Sequence, residues 1–518
     1  MNGAEALIAT LVQSGIDLCF ANPGTSEMQL VAAIDRVPGM RPVLALDEGV
    51  VTGAADGYAR MAGKPACTLL HLGPGLANGV SNLHNARKAF SPVINVVGDH
   101  ATYHLGFDAP LTADIEGIAR PVSHWVKTSA NAEELAADGA QAIAAAGGMP
   151  GRVATLIAPA DAAWTELPVD YQLPAVQLPP ALPQLGAEQI ASTVAAIRAA
   201  RNPMLLLGGE ALVGEALMNA GRIAAHCGLR LHAETFNRRI ARGAGRLPLV
   251  PLPYRGEVAL ELIADVDLMV LVGSKRPVAF FAYPEKPSVL VPPGCAVHSF
   301  AGPADDVPAA LAALAQALGA ASALPVLQAL QLPPAASGRL DATAIAATVA
   351  RHIPEQGIVV DESITGSLPA QQMSIGSAPH DYVQLCGGSI GNGLPLAVGV
   401  ALGAPGRKVI CLEGDGSAMY TIQSLWTMAR ERLDVITIIY ANRSYAILNF
   451  EFDRVGGGAQ GPKAHSMLAI GDPAMDFVAL ARGMGVNGAR AETAEELDAL
   501  LAQMVREPGP HLIEAILG

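Results

Sequence analysis

Aromatic and charged residues are scarce in this 518-residue chain, at 4% and 15%, whereas hydrophobic residues make up 51%. That balance suits extensive burial, subunit interfaces included. Basic residues are outnumbered by acidic ones, 33 to 47, and the net charge of −14 argues against general nucleic-acid binding. Cysteine is sparse as well. Cys19, Cys67, Cys227, Cys295, Cys386 and Cys411 form no CxxC pair and sit mostly in apolar runs. This disfavours a zinc site or disulfide framework and suits a reduced, cytoplasmic protein with inert core thiols. No apolar run reaches the roughly 18 residues of a membrane span. The N-terminal MNGAEALIATLVQSGID reads as an amphipathic helix without a basic leader, so no signal peptide is expected. The length implies about two to four domains.

The organising stretch is Gly414 to Tyr445. An apolar run, Val409–Leu412, precedes Gly414-Asp415-Gly416; an amphipathic segment and a second apolar run, Val435–Tyr440, lead to Asn442. The pattern predicts strand, turn, helix, strand and loop. Parallel strands would bring both loops to one sheet edge, where open α/β sheets bind ligands. Asp415, the Ser417 hydroxyl and Asn442 supply oxygen donors without Cys or His, which suits Mg²⁺ shared with a phosphate. A bare Gly-Asp-Gly is also an ordinary turn.

The rest of the chain repeats the α/β pattern. Residues 1–165 carry strands ending at Asn22, Asp47-Glu48, His71 and Asp99-His100. Taken alone, Thr25 or Ser26 is a helix cap, Glu27 complements the helix dipole, and His71, His100 and His104 are structural or surface histidines. Glu48 opens a helix containing Gly53, Ala54, Ala55 and Gly57, small residues that allow close packing. Residues 166–186, rich in Pro and Leu, read as a surface linker. A second domain spans 187–325, with strands at Met204–Leu207, Leu268–Val272 and Val289-Leu290; its Gly208-Gly209 and Gly214 do not match a dinucleotide fingerprint. A further linker precedes the third domain, 340–518, where Thr365 follows a strand and Gly387-Gly388-Ser389-Ile390-Gly391 precedes a helix.

Two motifs carry a family resemblance. Gly414-Asp415-Gly416 followed by Asn442, and the run LDEGVVTGAADGYARMAGKPA around Glu48, resemble thiamine-diphosphate (ThDP) enzymes. The family usually has two asparagines where this chain has Ala441-Asn442, and the ligand is the second. The resemblance implies three α/β domains with mainly parallel sheets: pyrimidine-binding, central and diphosphate-binding. It implies that Asp415, the Asn442 side chain and the Ser444 carbonyl hold Mg²⁺. Gly414, Gly416, Ser417, Thr365 and Tyr445 would bind the cofactor, with Gly388 beside the aminopyrimidine and Ile390 as an apolar wedge. Glu48 would be the catalytic glutamate that hydrogen-bonds N1′ of the aminopyrimidine.

His71 and Thr25 fall where benzoylformate decarboxylase has a proton-transfer histidine and an active-site serine, whereas Gly73-Pro74-Gly75 is similar to the acetolactate synthase large subunit. Ile447, Leu448, Glu451 and His100 are then expected to face the substrate; Glu451 replaces a phenylalanine of benzoylformate decarboxylase, and its carboxylate could repel the substrate's own or pair with a basic group. The implied reaction is non-oxidative decarboxylation of a 2-oxo acid, or carboligation through an enamine. Lyase chemistry on a 2-hydroxyacyl or 2-hydroxyketone substrate, and an inactive cofactor-binding regulatory subunit, remain as alternatives. The family assembles as a homodimer or homotetramer, with Glu48 and Asp415 meeting across a subunit interface.

Overall fold

The computed structural model describes residues 1–177 and 181–518; within the Pro-rich linker, 178–180 lie outside the described residues. Three sheets are present. The first holds β1 (Leu18–Asn22), β2 (Arg41–Leu44), β3 (Ala66–Leu70), β4 (Val93–Asp99), β5 (Trp125–Thr128) and β6 (Val153–Pro159), in the order β2-β1-β3-β4-β6-β5, all parallel. The second holds β7 (Pro203–Leu207), β8 (Arg230–Ala233), β10 (Leu268–Val272) and β11 (Ala296–Ala301), in the order β11-β10-β7-β8 and also parallel. The third holds β12 (Gly357–Glu362), β13 (His380–Gln384), β14 (Val409–Gly414), β15 (Val435–Ala441), β16 (Asn487–Ala491) and β17 (His511–Ile516). Helices cover both faces of such sheets, so central strands read as continuous apolar runs. β15, VITIIYA, is buried along its whole length.

Two details depart from the sequence reading. Val289 makes only an isolated bridge to Val278, and the outer strand of the second sheet is β11. Pro292 and Pro293 follow after Val291 and have no N–H to give a ladder. β9 (Ile240–Arg242), inside the segment read as the second domain, pairs antiparallel with β13 and forms the edge of the third sheet, β16-β17-β15-β14-β12-β13-β9. The linker start is pinned: Leu167 packs against Ala6, Ala132 and Ala136, and the Tyr171 hydroxyl donates to the Glu133 carbonyl at 2.9 Å.

The first and third domains of the chain meet through the helices Glu48–Ala62 and Gly393–Gly403. Their backbones approach so closely that a β-carbon on Gly57 would strike the Leu396 carbonyl, and one on Gly399 the Ala54 carbonyl. At the carboxyl ends of the strands the chain turns sharply. Leu72, Ile364 and Arg443 take φ of +47°, +53° and +56° just after β3, β12 and β15, and Gly388 takes +79° after β13. For side chains other than glycine such conformations cost about 1–3 kcal/mol each.

At the same edge of the second sheet, Glu234 follows β8 and lies against Gly208, after β7. Burial pushes its carboxyl up to about 7, against the pull of the Lys275 charge. The folded state therefore binds the extra proton between the ordinary 4.5 and about 7, and this group's contribution to stability declines as pH rises through that window. Glu234→Gln is expected to unfold at a higher temperature than wild type at pH 8, by the equivalent of up to about 3 kcal/mol. Scanning calorimetry should show the gap closing as the pH approaches 4.5.

Candidate active site

At the edge of the first sheet, β1 runs into a 3₁₀ turn, Thr25–Glu27, and β3 into the helix Leu72–Lys88, whose N-cap is His71. Glu27 is fully buried. Its Oε2 accepts the Gly24 N–H at 2.7 Å and lies 2.8 Å from Nδ1 of His71; its Oε1 accepts the Ser26 hydroxyl at 2.8 Å. The Ser26 Oγ is also 3.2 Å from His71 Nδ1. This network assigns the proton on Nδ1 and leaves Nε2 as the free nitrogen. A β-carbon on Gly24 would strike the His71 ring, and one on Gly98 the Glu27 carboxylate, so both glycines make room for the pair. Thr25 is exposed, and the hydroxyl at His71 belongs to Ser26. At the end of neighbouring β4, His100 lies 5.5 Å ring to ring from His104, with a buried Nε2 that has no hydrogen-bond partner among the described residues.

Glu48 begins its helix behind the N-cap Asp47, which accepts from the N–H groups of Gly49 and Val50 at 2.7 and 3.3 Å. The Glu48 side chain is buried against the helix 72–88. Its Oε2 accepts from Asn78 Nδ2 at 3.0 Å, and a β-carbon on Gly75 would lie 3.1 Å from Oε1.

At the edge of the third sheet, Asp415 follows β14 and is 3% exposed. Its oxygens accept the N–H groups of Gly416 (2.8 Å) and Arg443 (2.5 Å), the latter at the end of neighbouring β15. Burial holds its carboxyl above the usual range in spite of those bonds, and among the described residues it has no ion-pair partner. The Asn442 Oδ1, which accepts the Ser444 N–H at 2.9 Å, and the Ser444 carbonyl lie in the same turn. A desolvated carboxylate without a counter-charge, beside amide and carbonyl oxygens, fits a small hard cation. Gly416 packs under the Tyr445 ring, 2.5 Å from where its β-carbon would sit.

The Ser417 hydroxyl donates to Glu413 Oε1 at 2.7 Å, and Glu413 belongs to a buried acid pair. Burial pushes Glu362 up to about 7, and burial together with the Glu362 charge pushes Glu413 well above the ordinary carboxylate value. Glu362 also accepts the N–H groups of Gly391 (2.9 Å) and Gly393, which fastens the end of the loop that carries Gly388 and Ile390. Thr365 is exposed beyond the strained Ile364.

From the second domain the Phe280 ring reaches this loop and lies 2.5 Å from where a Gly388 β-carbon would sit. Phe280 clusters with Phe236, Tyr254 and Phe281 at centroid separations of 4.7–5.6 Å, a concentration of aromatics in an aromatic-poor chain. Beside them runs the helix Ala446–Arg454, on which no residue is buried; Ile447 is half-buried and Leu448 exposed. The Glu451 carboxylate accepts the hydroxyls of Tyr254 (3.1 Å) and Tyr283 (2.7 Å), so it is already engaged rather than free to meet a substrate. Sequence reasoning missed Glu27, Ser26 as the His71 partner, and the Phe280 cluster. The adjacent Phe280-Phe281, rare in this composition, was the one available signal.

Residues 1–128 match the family described as thiamine pyrophosphate enzyme, N-terminal TPP binding domain, and residues 364–515 the corresponding C-terminal TPP binding domain. A Mycobacterium tuberculosis protein provisionally named acetolactate synthase large subunit IlvX is 48% identical, with 100% of this chain and 99% of that protein covered. Benzoylformate decarboxylase of Pseudomonas aeruginosa is 30% identical over 97% and 96% of the two chains. The solved ThDP-dependent 4-hydroxybenzoylformate decarboxylase of Rhodococcus jostii RHA1 superposes with a TM-score of 0.88 at 26% identity, covering 100% of this chain and 99% of that one. With two matched cofactor domains and full-length relatives, the chain belongs to the thiamine-diphosphate-dependent enzymes of the acetolactate synthase and benzoylformate decarboxylase type.

Proposed function

We propose that the chain is a ThDP- and Mg²⁺-dependent enzyme that releases CO₂ from a 2-oxo acid and then protonates the remaining carbon or joins it to a second carbonyl compound. The observation that carries this reading is Asp415, a buried carboxylate that receives only backbone N–H groups and has amide and carbonyl oxygens beside it. In this reading Asp415, Asn442 and Ser444 hold the metal, and Gly414, Gly416 and Tyr445 border the diphosphate. Gly388 and Ile390 take the aminopyrimidine, with Glu48 as the carboxyl that hydrogen-bonds its ring. Bound ThDP supplies the electron sink that lets the carboxylate leave as CO₂.

His71 delivers and withdraws a proton through Nε2, because Glu27 and Ser26 occupy Nδ1. The substrate side chain lies among Ile447, Leu448 and the aromatic cluster. Since two tyrosines hold Glu451, an apolar side chain suits this wall better than a basic one. Gly73-Pro74-Gly75 and the relative named as an acetolactate synthase support carboligation as the second outcome. Lyase chemistry has no observation in its favour, and intact Glu48, Asp415 and Asn442 speak against an inactive regulatory subunit.

A homodimer or homotetramer with sites between subunits is part of this proposal. Met28, Met419 and Tyr420, beside the two half-sites, expose 49%, 39% and 55% of their surface, as an uncovered interface would. Among the described residues no helix is long and apolar enough to cross a membrane, and the six cysteines are free, which suits a reducing compartment.

Purified protein with ThDP and Mg²⁺, offered a panel of 2-oxo acids, is expected to release CO₂ from apolar members and to yield an aldehyde or a 2-hydroxyketone. No turnover across the panel would sink the decarboxylase reading. Glu48→Gln is expected to lower kcat by at least about 100-fold; unchanged ThDP-dependent turnover would refute its assignment. Glu27→Gln is expected to lower kcat by about 10- to 100-fold with ThDP affinity unchanged, because it disturbs His71 and not the cofactor. Steady-state kinetics with cofactor titration separates the two parameters.

A further inference from the structure

We propose that Arg60, which touches no reacting group, is a positioning residue that sets the loop 385–391 for the cofactor and ties the three domains of one chain together. The proposal rests on the assignment of Gly388 and Ile390 to the aminopyrimidine.

Arg60 lies on the helix Glu48–Ala62, with its side chain and that of Asp56 both 0% exposed. Its Nε and Nη2 form a fork on Asp56, at 2.7 and 2.6 Å, and the Ser91 hydroxyl completes the Asp56 shell at 2.5 Å. The remaining nitrogen, Nη1, points out of the first domain. It donates to the Gln384 carbonyl at 2.6 Å and, more weakly, to the Arg238 carbonyl of the second domain at 3.4 Å. Gln384 is the last residue of β13, so the loop to Gly388 begins at the carbonyl that Arg60 holds. The Cys386 thiol leans on the same carbonyl at 3.5 Å.

The far part of the loop is fastened from the same domain. His84 Nε2 lies 3.0 Å from the Gly387 carbonyl, Asn85 bonds both backbone groups of Ser389, and Asn82 Nδ2 reaches the carbonyls of Gly49 and Gly391 at 2.9 and 3.1 Å. Asn82 thus links the residue after Glu48 to the residue after Ile390. Among the described residues, the side chains that hydrogen-bond the loop backbone from outside it are those of the first domain of the same chain, together with Glu362 and Thr421 of the third, which hold Gly391. Only a guanidinium can fork onto Asp56 and still donate to Gln384, because it carries five donors in one plane. A lysine keeps the charge and loses that geometry.

The test uses the full-length protein. Arg60→Lys and Ser91→Ala are compared with wild type and with Arg120→Lys, an exposed control. Hydrogen exchange without cofactor reads the loop, and ThDP titration reads affinity. For Arg60→Lys we expect exchange in 385–391 to rise about 10-fold, the ThDP Kd to weaken about 10- to 100-fold, and kcat at saturating ThDP to stay within about 3-fold of wild type. Ser91→Ala shifts exchange and Kd the same way by less, and serves if Arg60→Lys fails to fold. A fall in melting temperature with unchanged loop exchange and Kd would overturn the positioning role. Faster loop exchange with unchanged Kd would show that the tether exists but the cofactor does not use the loop, which overturns the aminopyrimidine assignment and the proposal with it.

Discussion

Backbone meets backbone where the helices 48–62 and 393–403 cross, at Gly57 and Gly399, with no space for a β-carbon on either. Interiors packed at crystal density do not absorb even one added methyl group freely. That contact fixes the separation of the first and third sheets within a chain. It also brings the Glu48 end of one helix to the loop that precedes the other. Asn82 spans the join, and Arg60 closes it three residues beyond Gly57.

The strand ends carry the second constraint. Parallel strands present carbonyl-rich edges, and the chain must leave them abruptly to aim side chains across the gap. Leu72, Ile364 and Arg443 accept left-handed backbone at these points, beside His71, Thr365 and the Asn442–Ser444 turn. A β-branched residue such as Ile364 gains nothing locally from positive φ. Its neighbours must therefore over-determine it, and here they include Ser363, whose N–H and hydroxyl both donate to Asp361 Oδ1, at 3.0 and 2.6 Å.

Much of this was legible in the sequence because it is local. The apolar runs of β14 and β15, with Asp415 and Asn442 at their ends, announce a sheet edge, and Gly53 to Gly57 announces a close helix contact. Other features depend on distant partners. Glu27 looks like a helix-dipole residue until Gly98 and His71, from two other strands, close around it. The sequence gives no sign that Glu413 accepts the Ser417 hydroxyl, and Glu451 looks free until two tyrosines from the second domain reach it. Thr25 and Ser26 are adjacent, and only the pitch of a short 3₁₀ turn decides which one faces the histidine.

β9 gives the second domain a bond to the third that is not a side-chain contact. Three residues, Ile240–Arg242, complete the β13 edge through main-chain hydrogen bonds, with Arg242 stacked on Tyr382 at 5.1 Å. A hinge between these domains would have to unzip a ladder, so large rigid-body swings of the second domain are disfavoured. Nor is that domain an interchangeable cassette: excising it would leave β13 as a bare edge open to pairing with another chain. A chimera that exchanges the central module must therefore keep residues 240–242 with the third domain.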